Sequence, residues 1–146
     1  METYPGFTVE QKDGIYIYRI YDITRAAVDA WYEVDRQQSL ACVETTRHAM
    51  RLFYLDRFIF PTPYFTAKLH QANQNAPQNL YESAAVVIPN GIVFNMLDLF
   101  LNRHNPSPQR TARRVFREEP PAIAWLQKRQ QIVEQLLQAE SSKDDD

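Results

Sequence analysis

The run Ala84-Ala85-Val86-Val87-Ile88 is apolar at every position and is broken at once by Pro89-Asn90-Gly91. A strand with no polar side has both faces covered, as central strands of parallel sheets do. Five residues are too few for a buried helix, which needs ten or more. A chain carrying such a strand is expected to join it to its parallel neighbours through helices.

The flanking sequence supplies them. Phe7-Thr8-Val9-Glu10-Gln11 alternates apolar and polar, Lys12-Asp13-Gly14 is a turn, and Ile15 to Tyr21 is β-branched and aromatic, so the three predict a hairpin. Thr24 is placed to cap a helix carrying Ala27, Val28, Trp31 and Val34 at helical spacing and fading near residues 37–39. A strand is expected from His48 to Asp56, and Thr62-Pro63 reads as the cap and first position of a second helix reaching about Asn73. After a loop at residues 75–79 and the apolar strand, Val93, Met96, Leu97, Phe100 and Leu101 form the stripe of a third helix. Thr111 to Phe116 is expected as an edge strand, because arginines crowd it. Glu118-Glu119-Pro120-Pro121 opens a last helix, an acidic, proline-led start that the helix dipole favours. The order is ββαβαβαβα, which predicts one α/β domain over residues 1–139. Its sheet has five strands, mixed but mostly parallel, with an N-terminal antiparallel hairpin strand, and about four helices join or cover them. Residues 140–146 are expected to fray as a disordered acidic tail.

Composition narrows the function. A chain of 146 residues that is 45% hydrophobic can bury a real core, yet no apolar run approaches the ~20 residues of a bilayer span. The first five residues show no secretory signal, and a single cysteine, Cys42, forms no internal disulfide, so a reducing, cytoplasmic setting is expected. The net charge of −2 comes from the tail: residues 140–146 hold four acids and one base, leaving 14 acids and 15 bases elsewhere. That balance argues against a dedicated nucleic-acid binder. Three glycines, Gly6, Gly14 and Gly91, leave no glycine-rich phosphate loop.

With this order in hand the chain resembles the STAS-type domains, which include bacterial anti-sigma-factor antagonists and a broader STAS/SEC14-like group. Three stretches carry the resemblance: IYIYRIYDIT, a hairpin strand entering a Thr-capped helix; RLFYLD, an apolar strand ending in aspartate; and VFREEPPAIAWL, a strand end, acids and a helix with Ala-x-x-Trp-Leu. It covers roughly Phe7 to Gln130. It implies a right-handed β-α superhelix with strands in near-sequential order, and regulation or protein binding in place of catalysis. The antagonists carry a phosphorylated serine in an Asp-Ser-Ser-Gly motif at the start of the second helix; here that region reads Pro61-Thr62-Pro63-Tyr64-Phe65-Thr66.

Thr62 and Thr66 are thus the candidate phosphoacceptors, since free amides and the dipole at a helix N-terminus would stabilise a phosphate. The plainer reading is an N-cap for Thr62 and an ordinary first-turn threonine for Thr66. Asp56 ends a strand at the carboxyl edge of the sheet, where open α/β folds place ligands, though its plainer role is to cap backbone amides of the following loop. With Phe58, Ile59, Phe60 and Tyr64 it forms a candidate interaction loop, if those side chains are exposed and not core. Arg103, His104, Arg110, Arg113, Arg114 and Arg117 form a basic cluster that could bind a phosphorylated or acidic partner, the favoured reading being a solvated loop and charges guarding an exposed edge. His48, His70 and His104 are far apart in sequence and match no metal-ligand spacing with Cys42. Ile123, Leu126, Val133 and Leu137 form a candidate dimer stripe on a last helix that outruns its core. The leading expectation is a non-enzymatic STAS-like domain that binds a protein partner, with homodimer formation and no cofactor, metal or nucleic acid. The second is a carrier of a small apolar ligand, with Phe58, Phe60, Tyr64, Phe94 and Met96 lining a cavity of roughly 300 Å3 or more. An enzyme is the least favoured, because no matched acid/base or nucleophile set is present.

Overall fold

Two residues with positive φ, Asp13 (53°) and Gly14 (79°), join Lys12 to its cross-strand partner Ile15. Two-residue turns of this kind carry the twist that paired strands need. The turn sets the register of β2 (Phe7–Lys12) against β3 (Ile15–Ile20), and the sheet grows from that hairpin on both sides. The computed structural model of the protein describes residues 1–56, 59–89, 91–105 and 107–144.

Among the described residues the sheet has six strands in sequential order: β1 (Glu2–Tyr4), β2, β3, β4 (His48–Leu55), β5 (Tyr81–Val87) and β6 (Thr111–Phe116). β1 to β3 pair antiparallel and β3 to β6 pair parallel, which is the mixed sheet expected, with one strand more. The additional strand is β1. It spans three residues before Pro5-Gly6, too short to show a period of two. Helices α1 (Arg25–Val43), α2 (Pro63–Asn75) and α3 (Gly91–Arg103) each lead from one parallel strand to the next, and α4 (Glu119–Asp144) follows β6. Sequential parallel strands joined by right-handed crossovers place all their helices on one face. That arrangement is seen in the core. Phe7, Tyr18, Val28, Trp31, Val34 and Leu69 pack one layer under α1 and α2, and Val86, Ile88, Leu97 and Val115 continue it under α3. Met50, Leu52, Ala85, Val87, Phe116, Ala122 and Leu126 fill the opposite layer, under α4.

Helix α4 corrects two expectations. Leu126 and Val133 are 0% and 1% exposed, and Ile123 and Leu137 are half-buried. Leu126 packs in the core against the protein's own sheet with Ile123 beside it, and Val133 is buried too, so most of the stripe is core and not free surface. Nor does the helix fray at residue 140. It continues to Asp144, because Glu140 accepts a hydrogen bond from the Tyr81 hydroxyl (2.7 Å) and an ion pair from Arg47 (3.2 Å). Beneath α4, His48 Nε2 lies 2.8 Å from Ser83 Oγ, which also accepts from Arg129 Nε (3.1 Å). Ser83 is 1% exposed, so this pair ties β4, β5 and α4 together in a place that solvent does not reach. Burial and the adjacent Arg129 guanidinium pull the His48 pKa down to about 4.

Candidate functional site

The site starts from a row of side chains across the sheet. Tyr16 on β3 pairs with Arg51 on β4, Arg51 with Ala84 on β5, and Ala84 with Arg113 on β6. In parallel pairing these four share a face, the one covered by α1, α2 and α3. Two arginines therefore flank a methyl group, with backbones two strand spacings or about 9–10 Å apart. The next row toward the amino ends is Ala49, Glu82 and Thr111; the next toward the carboxyl ends is Tyr18, Phe53, Val86 and Val115. A charged row thus sits against an apolar one.

Between this face and the helices lies a cavity of about 180 Å3. Its apolar wall includes Phe53, Trp31, Phe65, Leu69 and Leu97, and Ile59 and Pro61 stand at the carboxyl edge of the sheet. Its polar end carries Asp35, Arg51, Asn73, Glu82, Thr111 and Arg113. Small residues create the space: Ala27, Ala72 and Ala84 occupy positions where larger side chains would meet across the layer.

Arg51, 4% exposed, is held from every side. Its guanidinium donates to Gln38 Oε1 (3.0 Å), Glu82 Oε1 (3.0 Å), Ser39 Oγ (3.0 Å) and the Asp35 carbonyl (3.1 Å), and it lies 3.2 Å from Asp35 Oδ1. Gln38 Oε1 also accepts the Tyr18 hydroxyl at 2.6 Å, and Ser39 donates to Glu82 at 3.3 Å. Burial works against the Arg51 charge, but Asp35 and Glu82 outweigh it and hold the group protonated. Burial raises the Asp35 carboxyl, with Arg51 opposing that shift. It also raises the Tyr18 hydroxyl well above its ordinary value. Arg113 is treated differently. It donates to Asn73 Oδ1 (2.7 Å) and to the His104 carbonyl (3.4 Å), and among the described residues no carboxylate oxygen lies within 4.0 Å of it.

The residues singled out from the sequence are scattered by the fold. Thr62 Oγ1 accepts from Phe65 N (3.1 Å) and Thr66 Oγ1 donates to the Thr62 carbonyl (2.9 Å), so both hydroxyls are used in starting α2. Asp56 is exposed; its N–H donates to the Ile20 carbonyl and its own carbonyl accepts from Ile59 N (3.0 Å). The aromatic loop divides. Ile59 is buried in the cavity wall, Phe60 is 38% exposed, and the Tyr64 hydroxyl donates to Asp29 with Arg25 stacked on its ring. Phe58 lies outside the described residues. The cavity wall expected from Phe60, Tyr64, Phe94 and Met96 is not the one formed: none of the four lines it, because Leu97 and Leu101 are the α3 residues turned inward. The basic cluster is also divided. Strand alternation turns Arg113 into the cavity while Arg114 faces the other side, and Arg117 stacks on Phe94. His70 and His104, distant in sequence, meet at 3.1 Å between α2 and the end of α3. Among the described residues no group of three His, Cys, Asp or Glu side chains is placed to hold a metal ion.

Sequence alone singles out none of Arg51, Glu82 and Asp35, and offers Arg113 only as one of the basic cluster. The signal was present for two of them: Arg51 and Glu82 are charges inside strands that are otherwise apolar, which the fold has to satisfy or use. Among the described residues no helix is long and apolar enough to cross a membrane. Comparison of the chain with family models, with curated proteins and with solved structures finds no match.

Proposed function

We propose that the protein is a non-enzymatic STAS-like binding domain whose ligand is a small molecule with an apolar body, held between the sheet and α1, α2 and α3. The observation that carries this reading is the cavity itself, about 180 Å3 of space in a layer that close packing would otherwise fill. It is smaller than the 300 Å3 anticipated for a carrier. A cavity of about 150 Å3 accepts benzene, so the space suits one ring or a short branched chain, and a long lipid tail does not fit. Resemblance to STAS-type domains supports binding over catalysis, and so does the absence of an oriented acid–base pair among the described cavity residues. The test is titration of the full chain with 3-phenylpropan-1-ol, followed by amide chemical shifts. Saturable shifts at Trp31, Leu69, Val86 and Leu97 are expected, and they vanish in Ala72→Phe, which fills the space. Shifts that never saturate, or that survive Ala72→Phe, would remove the cavity as the site.

A second reading, binding of a protein partner, is favoured by one surface. Ile92, Met96 and Leu99 on α3 follow helical spacing and are 76%, 49% and 72% exposed. A monodisperse soluble chain seldom turns such a stripe to water, and self-association through α3 replaces the α4 stripe that the core has absorbed. Sedimentation at rising concentration tests it: a dimer weakened by Met96→Asp with Leu99→Asp supports α3, and a monomer throughout opposes it.

A further inference from the structure

We infer that the ligand of this cavity is a small organic anion, with its apolar body against Phe53, Leu69 and Leu97 and a carboxylate paired with Arg113. The inference rests on the cavity reading above and adds the chemistry of the head group.

Two arginines in one row reach the same space, yet only one is fully engaged. Arg51 spends its donors on Asp35, Gln38, Ser39 and Glu82. Both acids of the polar end are thereby committed to Arg51, across Ala84 from Arg113. Arg113 has five N–H donors, and the partners it finds are neutral oxygens of Asn73 and His104. Asn73 Nδ2 donates to the same His104 carbonyl (3.2 Å), so the side chain that steadies Arg113 is itself fixed. A guanidinium held in place, taken partly out of water and lacking a paired carboxylate is the group that planar anions seek, because a carboxylate accepts two parallel N–H bonds from it. Burial lowers the Arg113 pKa, while Glu82 and Asp35 raise it through space without either carboxylate coming within 4.0 Å. The wall formed by Trp31, Phe53, Phe65, Leu69 and Leu97 is apolar, which disfavours sugars and phosphorylated metabolites rich in hydroxyls: polar groups against it would be left without partners. The volume limits the body to a ring or a short chain. An arylalkanoic or short branched-chain acid meets all three conditions.

The test compares 3-phenylpropanoate with 3-phenylpropan-1-ol, which share a body and differ in the head, by titration calorimetry on the full chain. The acid is expected to bind about tenfold or more tightly than the alcohol. The preference should disappear in Arg113→Met, which keeps the length and loses the charge, and return in part in Arg113→Lys. Both variants are checked for native circular dichroism, and saturable binding of the alcohol to Arg113→Met shows that the cavity persists. If the alcohol binds the wild-type chain as well as the acid, the cavity stands and the anion does not. A preference for the acid that survives Arg113→Met also overturns the assignment, since another cation then holds the head. If neither compound binds, the cavity reading falls and this inference falls with it.

Discussion

Gly6 shows how one residue holds the amino-terminal edge. Its φ is +79°, and a Cβ there would lie 2.8 Å from the Ala27 Cβ and 3.0 Å from the Asp22 carbonyl. Its own carbonyl accepts both Tyr21 N (2.8 Å) and Asp22 N (3.1 Å), which ties β1 and β2 to the start of α1. Gly6→Ala adds strain and overlap together and is expected to cost about 2–3 kcal/mol in urea denaturation. Gly14→Ala offers a control: its φ is also positive, but the nearest atom to an added Cβ is the Met50 methyl at 3.9 Å, so its cost should be about 1 kcal/mol. His48 gives a pH signature at the same scale. A free histidine takes up a proton below ~6.5, whereas the buried ring resists until about 4. The unfolded chain therefore binds more protons between these values, and stability is full above ~6.5 and declines as the pH falls toward 4. The expected loss between pH 7 and pH 5 is about 2 kcal/mol. Denaturation of wild type and His48→Gln at the two pH values checks this: the variant should lose less by that amount.

At the scale of elements, helix starts were the most legible feature, because capping chemistry is local. Thr24 accepts from Ala27 N (3.2 Å) and Thr62 from Phe65 N (3.1 Å), each where sequence placed a cap. Thr62→Ala should cost about 1 kcal/mol with Thr66 unchanged. If Thr62 is a phosphoacceptor, phosphorylation would have to break that cap, and mass spectrometry of the chain purified from its own cells would show the added mass. Element ends were less legible. Helix α1 continues past Ser39 to Val43 because Gln38, Ser39 and Cys42 are buried by tertiary contacts, and the polarity of Gln38 and Ser39 reads as a helix end only until Arg51 is seen opposite them. Helix α4 outlasts its apolar stripe for a similar reason, the contacts of Glu140 with Arg47 and Tyr81. Strand β5 starts at Tyr81, three residues before the apolar run, since Glu82 and Ser83 are satisfied by partners from β4, α1 and α4.

At the scale of the molecule, the two helical layers differ in purpose. The α4 side is filled, with Leu126 and Val133 buried. The α1, α2 and α3 side retains space and encloses charge. Arg51 is the pin of that side, and its removal is a sharper test than any surface change. Arg51→Met strands Asp35 and Glu82 without a cation and should cost about 3–5 kcal/mol, whereas the triple change with Asp35→Leu and Glu82→Met should recover much of it. Thermal unfolding of the three proteins decides it: if Arg51→Met alone is near neutral, the network contributes little to the fold.

The alternation of strand and helix, the parallel centre of the sheet, the hairpin turn and the caps of α1 and α2 were all determined by sequence alone. Each follows from spacing or from one residue's own backbone chemistry. What only the tertiary structure decided was direction. Strand alternation turns Arg113 inward and Arg114 outward although both stand in one run of arginines. The pairing of β4, β5 and β6 brings Arg51, Ala84 and Arg113 into a row that no local pattern announces. The α4 stripe, legible as apolar, became core because the second face of the sheet had no other cover. Sequence specifies which side chains are apolar or charged; register across neighbouring strands specifies which of them meet, and here it places an arginine beside an apolar cavity.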